Sequence, residues 1–310
     1  MPEPIVYTEH AQDVLARAID AFDAGQRFVL VQSVDIQGGA AREVGSLAVV
    51  TETGRMYGYM SNGCIDRDIQ LQALTLLETG APAKVLRYGE GSPFADLTLP
   101  CGGALELLLT PCPPEPDIRA AYAALCARQP ADLALAVPDR PDGSLFRYDP
   151  KPRMSLAGRG AVFRSTARVA NEAGFEVQAY SPDAADLGAL AELPGLTTTE
   201  LTTPTSVPRL ELDAHSAFLT LFHDHEWELF LLKSAIETPA RFIGCLGSRK
   251  THDMRRQALL NMGCNTDAVD RIHGPIGLVP SLRQAQLIGI SAVAEVMQSF
   301  SKSIHKRSGL

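Results

Sequence analysis

Beyond Arg153 the chain alternates short apolar runs with segments of helical period. No other property of the sequence limits the fold as strongly. Met154–Ala157 is a strand-length apolar run, followed by Gly158-Arg159-Gly160 and a helical segment to Ala173. Phe175–Tyr180, Ala217–Phe222 and Arg241–Leu246 read as further strands, and Leu196–Thr199 carries a weaker strand pattern. Helical period occupies Glu226–Ile236, residues 249–262 and Leu282–Phe300. Apolar strands separated by helices pair in parallel, because each helix carries the chain back across the sheet. The expected result over residues 153–310 is a Rossmann-like parallel-sheet domain of the α/β class.

The chain before Arg153 has a different rhythm. Val14, Leu15, Ala18, Ile19 and Phe22 sit at helical spacing, and Gly25 stops the run. Strands are expected at Phe28–Val34, Ser46–Thr51, Met56–Met60, Lys84–Arg87 and Gly102–Thr110, joined mostly by short turns. Residues 65–79 return to helical period, and Gly89–Leu97 reads as an acidic loop. Residues 1–112 therefore read as an α+β domain. Residues 113–152 read as a connecting helix (Asp117–Gln129), a hairpin around Pro138–Gly143 and a Pro150-Lys151-Pro152 linker. A length of 310 residues suits two domains at roughly 150 residues each.

Charge and cysteine usage narrow the function classes. The net charge is −8, from 28 Lys and Arg against 36 Asp and Glu, which disfavours a nucleic-acid scaffold. No apolar run approaches the ~18 residues of a membrane helix. Residues 1–10 show no signal-peptide pattern, so a cytoplasmic protein with reduced thiols is expected. The six cysteines fit no zinc spacing. Two of them sit beside glycines, in Gly63-Cys64 and Cys101-Gly102-Gly103; the other four read as packing residues.

Four groups of residues carry chemistry. Gly158 and Gly160 stand between a strand and a helix, where a backbone turn admits a phosphate or merely closes the connection. The third small residue of a dinucleotide fingerprint is replaced by Phe163, and the nearest acidic ribose reader is Asp183, beyond Pro182. His223 follows the Ala217–Phe222 strand, at the sheet edge where α/β proteins hold ligands, while Asp224 reads as a helix cap. Gly247, Ser248 and Arg249 open a helix and combine free N–H groups, the helix dipole and a guanidinium into an anion site. Gly63, Cys64, Cys101, Gly102 and Gly103 offer close backbone approach and soft sulfur, or simply buried thiols.

The chain resembles the XdhC/CoxI family of accessory proteins for xanthine dehydrogenase and related molybdenum hydroxylases. The resemblance rests on the block Phe28–Leu74 with its Gly63-Cys64-Ile65-Asp66 element, and on Cys101-Gly102-Gly103. It rests equally on His223-Asp224, the run RFIGCLGSRK over 241–250, and Pro275-Ile276-Gly277-Leu278. It covers about Phe28 to Val296. The chain departs from the family pattern at Phe163, at Ser181, at Gln284-Ala285 and at Gly38-Gly39-Ala40-Ala41.

The resemblance implies a chaperone rather than an enzyme. Its cargo is the molybdenum cofactor in its molybdopterin form, protected, sulfurated with a cysteine desulfurase and handed to a molybdenum hydroxylase apoenzyme. In that role Gly247, Ser248 and Arg249 meet the phosphate, Gly63 and Gly102 allow close approach, and Cys64 or Cys101 supplies sulfur. A homodimer is compatible with the resemblance and with the apolar last helix. The resemblance leaves open what the Rossmann-like domain binds. The alternatives are an NAD(P)-dependent oxidoreductase built on that domain and a nucleotidyl-transfer enzyme acting on the pterin. The first lacks an obvious ribose reader and hydride-transfer set; the second lacks a Gly-rich loop with clustered Asp.

Overall fold

The computed structural model describes residues 3–39, 41–90, 103–223 and 226–304, without the side chains of 141–142 and 301–304. The chain divides into two compact units, Met1–Pro150 and Lys151–Leu310.

The first unit runs β1 (Ile5–Val6), α1 (Ala11–Asp23), β2 (Phe28–Gln37), β3 (Leu47–Thr51), β4 (Met56–Tyr57), α2 (Asp66–Thr79), β5 (Lys84–Gly89) and β6 (Ala104–Pro111). It continues with α3 (Glu115–Cys126), β7 (Ala131–Val137) and β8 (Arg140–Tyr148). The sheet order is β1-β4-β3-β2-β6-β5, and β7-β8 is a separate hairpin. β1 pairs with β4 in parallel; the other pairs are antiparallel. Strand period 2 sends alternate residues to opposite faces, and both faces are apolar here. Phe28, Leu30, Leu47, Val49 and Leu108 pack against α1, α3 and the hairpin. Val29, Val31, Ala48, Val50, Leu107 and Leu109 pack against α2. At about 1.5–3 kcal/mol per buried large apolar side chain, each face needs its own cover. The segment 113–152, expected as a connector, supplies part of that cover: Ile118, Leu125, Leu133 and Leu135 belong to the core.

The expected strand Met56–Met60 stops at Tyr57. A Cβ on Gly58 would stand 2.7 Å from the Leu47 carbonyl, and the Met60 and Ser61 N–H groups bond a side chain instead of a neighbouring strand. The loops leave the sheet at a common end. β2 ends at Gln37 opposite Ala104, β5 ends at Gly89 opposite Ala104, and β4 ends beside the start of β3.

The second unit runs β9 (Arg153–Gly158), α4 (Gly160–Glu172), β10 (Glu176–Ser181), α5 (Ala184–Gly188), β11 (Thr197–Glu200), β12 (Ser216–Leu221), α6 (Glu228–Ile236), β13 (Phe242–Cys245) and α7 (Arg249–Asn261). It ends with α8 (Thr266–Val269), β14 (Ile272–His273) and α9 (Ala285–Ile304). The sheet order is β11-β10-β9-β12-β13-β14, with every neighbouring pair parallel. Counted within this unit, that is the order 3-2-1-4-5-6 of the doubly wound fold, as expected. Phe163, Ala167, Val293 and Val296 from α4 and α9 cover one face over Met154, Leu156, Val177 and Leu219. Leu231, Leu232 and Leu259 from α6 and α7 cover the other over Phe218 and Ile243. The chain reverses its winding between β9 and β12, so a crevice opens at their carboxyl ends.

Candidate functional site

In the first unit, Cys64 is exposed in the loop between β4 and α2. Asp66, the first residue of α2, holds that loop with a carboxylate that is 0% exposed. It accepts from the N–H groups of Met60 at 2.8 Å, Ser61 at 3.0 Å and Gly63 at 3.0 Å, and from the Ser61 hydroxyl at 3.0 Å. The Ser61 hydroxyl oxygen in turn accepts from the Ile65 N–H at 3.0 Å. Four donors on one carboxylate fix every turn of the loop. Gly63 adopts a φ of +96° with open space where a Cβ would be, so it is required by conformation.

Gly103 lies at the same sheet end. A Cβ there would meet the Gln37 and Gly39 carbonyls, each at 2.6 Å, so its close approach is to this chain's own backbone. Cys101 and Gly102 lie outside the described residues. Near the Cys64 loop, the Arg42 guanidinium stacks over the Tyr59 ring at 4.6 Å and pairs with Glu9, which also accepts from the Tyr59 hydroxyl. Burial pulls the Arg42 guanidinium below its ordinary value. No sequence signal had marked Arg42. Asp66 had one: an acidic residue at a helix start, directly after Gly-Cys-Ile.

In the second unit, Gly158, Gly160, His223, Gly247, Ser248 and Arg249 gather at the carboxyl ends of β9, β12 and β13. Gly158 pairs with Leu221, and a Cβ on it would stand 2.8 Å from the Leu221 Cβ; strand packing requires this glycine. The Gly160 N–H, at the start of α4, donates to the buried Asp186 carboxylate, which also receives Arg164 Nε at 3.0 Å. A carboxylate of the chain itself thus fills the helix N-terminus where a dinucleotide places its pyrophosphate. Asp183, the nearest acidic ribose reader, caps α5 by accepting from the Ala185 and Asp186 N–H groups. His223 is exposed two residues past β12; Asp224 lies outside the described residues.

At the β13 turn, Ser248 caps α7 by accepting from the Thr251 N–H at 3.1 Å, and Arg249 and Lys250 are exposed beside it. Beneath the turn, Arg255 and Glu228 form an ion pair with both side chains 1% exposed. Thr220 of β12 donates to the same carboxylate at 3.0 Å. Cys245 is buried next to them, and burial pushes its thiol up to about 12, which makes it a packing residue. Cys264 is partly buried, whereas Cys112 and Cys126 are exposed, against the packing expectation. Among the described residues no three metal-ligating side chains cluster, and no helix is long and apolar enough to cross a membrane.

Residues 21–89 match the XdhC and CoxI family, and residues 154–296 match the XdhC Rossmann domain. The chain is 30% identical over 309 residues to the molybdenum cofactor insertion chaperone PaoD of Escherichia coli (strain K12), covering 95% of this chain and 90% of that protein. It is 23% identical over 276 residues to the uncharacterized protein YqeB of the same organism, covering 87% of this chain and 43% of that one. A crystal structure described as a xanthine dehydrogenase from Bacillus halodurans superimposes with a TM-score of 0.73 at 19% identity, over 93% of this chain and 96% of that one; it shares the fold.

Proposed function

The chain belongs to the XdhC/CoxI family, and from that membership we propose that it is a molybdenum cofactor chaperone. In this reading it binds the molybdopterin form of the cofactor, shields it, and supports its sulfuration with a cysteine desulfurase. It then inserts the cofactor into a xanthine dehydrogenase-type hydroxylase. The observation that carries the reading is 30% identity across 95% of the chain to a protein named for cofactor insertion. The geometry supports it: a fixed loop offers the exposed Cys64 as a soft ligand, and the α7 turn offers donors to a phosphate. Cys64, with Cys101 as the second candidate, is the proposed sulfur contact.

The test is metal and pterin analysis of protein purified from cells supplied with molybdate. Stoichiometric molybdenum and pterin are expected, and finding neither refutes the reading. Cys64→Ala and Cys101→Ala probe the sulfur contact separately; unchanged occupancy in both removes it.

An NAD(P)-dependent oxidoreductase draws support from the strand order alone. Asp186 on Gly160 and Asp183 on α5 oppose it, since both positions a dinucleotide needs are taken by intrachain bonds. Fluorescence titration with NADH and NADPH is expected to show no saturable binding.

A further inference from the structure

Arg255 sits in the second turn of α7 with 1% of its side chain exposed. Its Nε and Nη2 fork onto the Glu228 carboxylate at 2.9–3.2 Å, and Nη2 also donates to the Leu246 carbonyl at 3.0 Å. A guanidinium is planar, and the outer hydrogen of Nη2 shares an edge with Nη1. That edge therefore faces the Leu246–Gly247 turn. Nη1 is sealed from solvent and has no hydrogen-bond partner among the described residues. One turn earlier on the same helix, His252 Nδ1 is in the same condition. A Cβ on Gly274 would stand 2.3 Å from that nitrogen, so the imidazole is pressed against the loop that follows β14. A buried cationic N–H without an acceptor costs more than almost any other polar defect, and native chains give it a partner.

The way in is at Gly247. This residue is exposed, its φ is +141°, and a Cβ on it would lie 3.7 Å from Arg255 Nη2. The Thr251 side chain lies nearer still to that Cβ position, with Cγ2 at 3.1 Å and Cβ at 3.3 Å, so glycine hydrogens and the small Thr251 side chain are what stand between the guanidinium and the surface there. Around the opening, α7 begins with no acidic residue in its first turn, with exposed Arg249 and Lys250, and with two N–H groups that no helical carbonyl can reach. Donors on several sides of one opening suit a tetrahedral oxyanion, which presents oxygens in several directions, better than a planar carboxylate.

We propose that the β13–α7 turn is a phosphoryl-binding pocket, in which phosphate or diphosphate oxygens take the unpaired Nη1 of Arg255 through the opening left by Gly247 and the Nδ1–H of His252 where the loop after β14 meets α7. The proposal deepens the chaperone reading, on which it rests only for the source of the phosphoryl group. That source is the cargo's own phosphate or a separate phosphorylated ligand.

The test is a titration of cofactor-free full-length protein with inorganic pyrophosphate, followed by histidine-ring NMR. The His252 resonance is expected to shift saturably while that of His10, in the other unit, stays fixed. Gly247→Ala, which roofs the guanidinium, and His252→Leu are each expected to weaken binding about tenfold or more. His252→Gln, which keeps a donor, is expected to retain most of it. No saturable shift, or unaltered affinity in both Gly247→Ala and His252→Leu, overturns the pocket. Equal binding of sulfate at matched ionic strength also overturns it, as an adventitious ion only. If Gly247→Ala also loses pterin occupancy, the phosphoryl group is the cargo's; if occupancy stays, the pocket takes a separate ligand. Absence of molybdenum and pterin from the wild type would refute the chaperone reading and leave the titration to decide the pocket.

Discussion

Asp66→Asn tests the loop that presents Cys64. The substitution keeps Oδ1, which accepts from the Met60 and Ser61 N–H groups, and replaces Oδ2 with an NH₂. That NH₂ faces two donors, the Ser61 hydroxyl and the Gly63 N–H, both 3.0 Å from the original oxygen. The hydroxyl can rotate to accept; the Gly63 N–H cannot. At least one hydrogen bond to a charged acceptor is lost, worth about 1.5–3 kcal/mol, and a donor is left facing a donor. Because Asp66 is fully buried, water does not replace the lost partner. Urea denaturation should show a destabilisation of about 2–3 kcal/mol at unchanged m. The released loop should also change the rate at which Cys64 reacts with a thiol reagent, read by peptide mass mapping because Cys112 and Cys126 are exposed too. A variant within about 0.5 kcal/mol of wild type, with an unaltered Cys64 rate, would refute the claim that this carboxylate positions the loop.

Three further outcomes follow from the second unit. Glu228→Gln leaves the Arg255 charge buried without its counter-ion and should cost about 3–5 kcal/mol in a thermal or denaturant melt. Gly158→Ala places a methyl 2.8 Å from the Leu221 Cβ between paired strands and should cost about 1–3 kcal/mol, with the fold retained by circular dichroism. His252 is held below its ordinary value of 6.5, by burial first and then by Arg255, with Arg256 and His273 acting the same way and Asp253 against them. The folded state therefore binds fewer protons than the unfolded one near this value. Stability should be complete above pH 6.5 and decline as pH falls below it, and His252→Gln should flatten that decline in melts taken across the range.

The rhythm of the second unit was legible because its strands are buried on both faces and so read as continuous apolar runs; Ser216–Leu221 is buried at all six positions. The first unit was harder for a physical reason. β1 and β4 are two residues each, too short for any period, and the role of α3 and the hairpin as cover depends on contacts with strands far along the chain. Charge pairs were harder still. Glu228 and Arg255 are 27 residues apart, each in a helix that carries other charges, and nothing local says that these two face inward. Asp186 lies one helical turn beyond Asp183, the nearest acidic residue to the place of a ribose reader, and only closure of the β10–α5 turn brings it to Gly160.

The glycines show most clearly what sequence reasoning can and cannot separate. A glycine admits a close neighbour, but the neighbour can be a ligand or the chain itself. At Gly103 and Gly158 a Cβ would strike the chain's own atoms at 2.6 and 2.8 Å, so packing alone explains both. Gly63 and Gly160 have open space and positive φ, and each N–H is already committed to a carboxylate of the chain, Asp66 and Asp186. Gly247 differs in one respect. It is exposed, it takes a conformation that side chains disfavour, and beneath it lies a buried guanidinium with an unpaired nitrogen. Of the glycines described at the two sites, it alone lies over a buried guanidinium, whose Nη2 is 3.7 Å from the place of a Cβ and whose Nη1 is unpaired. A methyl group at position 247 strains the backbone as well as roofing the guanidinium, so His252→Leu, which leaves that backbone unchanged, is the variant that separates ligand binding from folding.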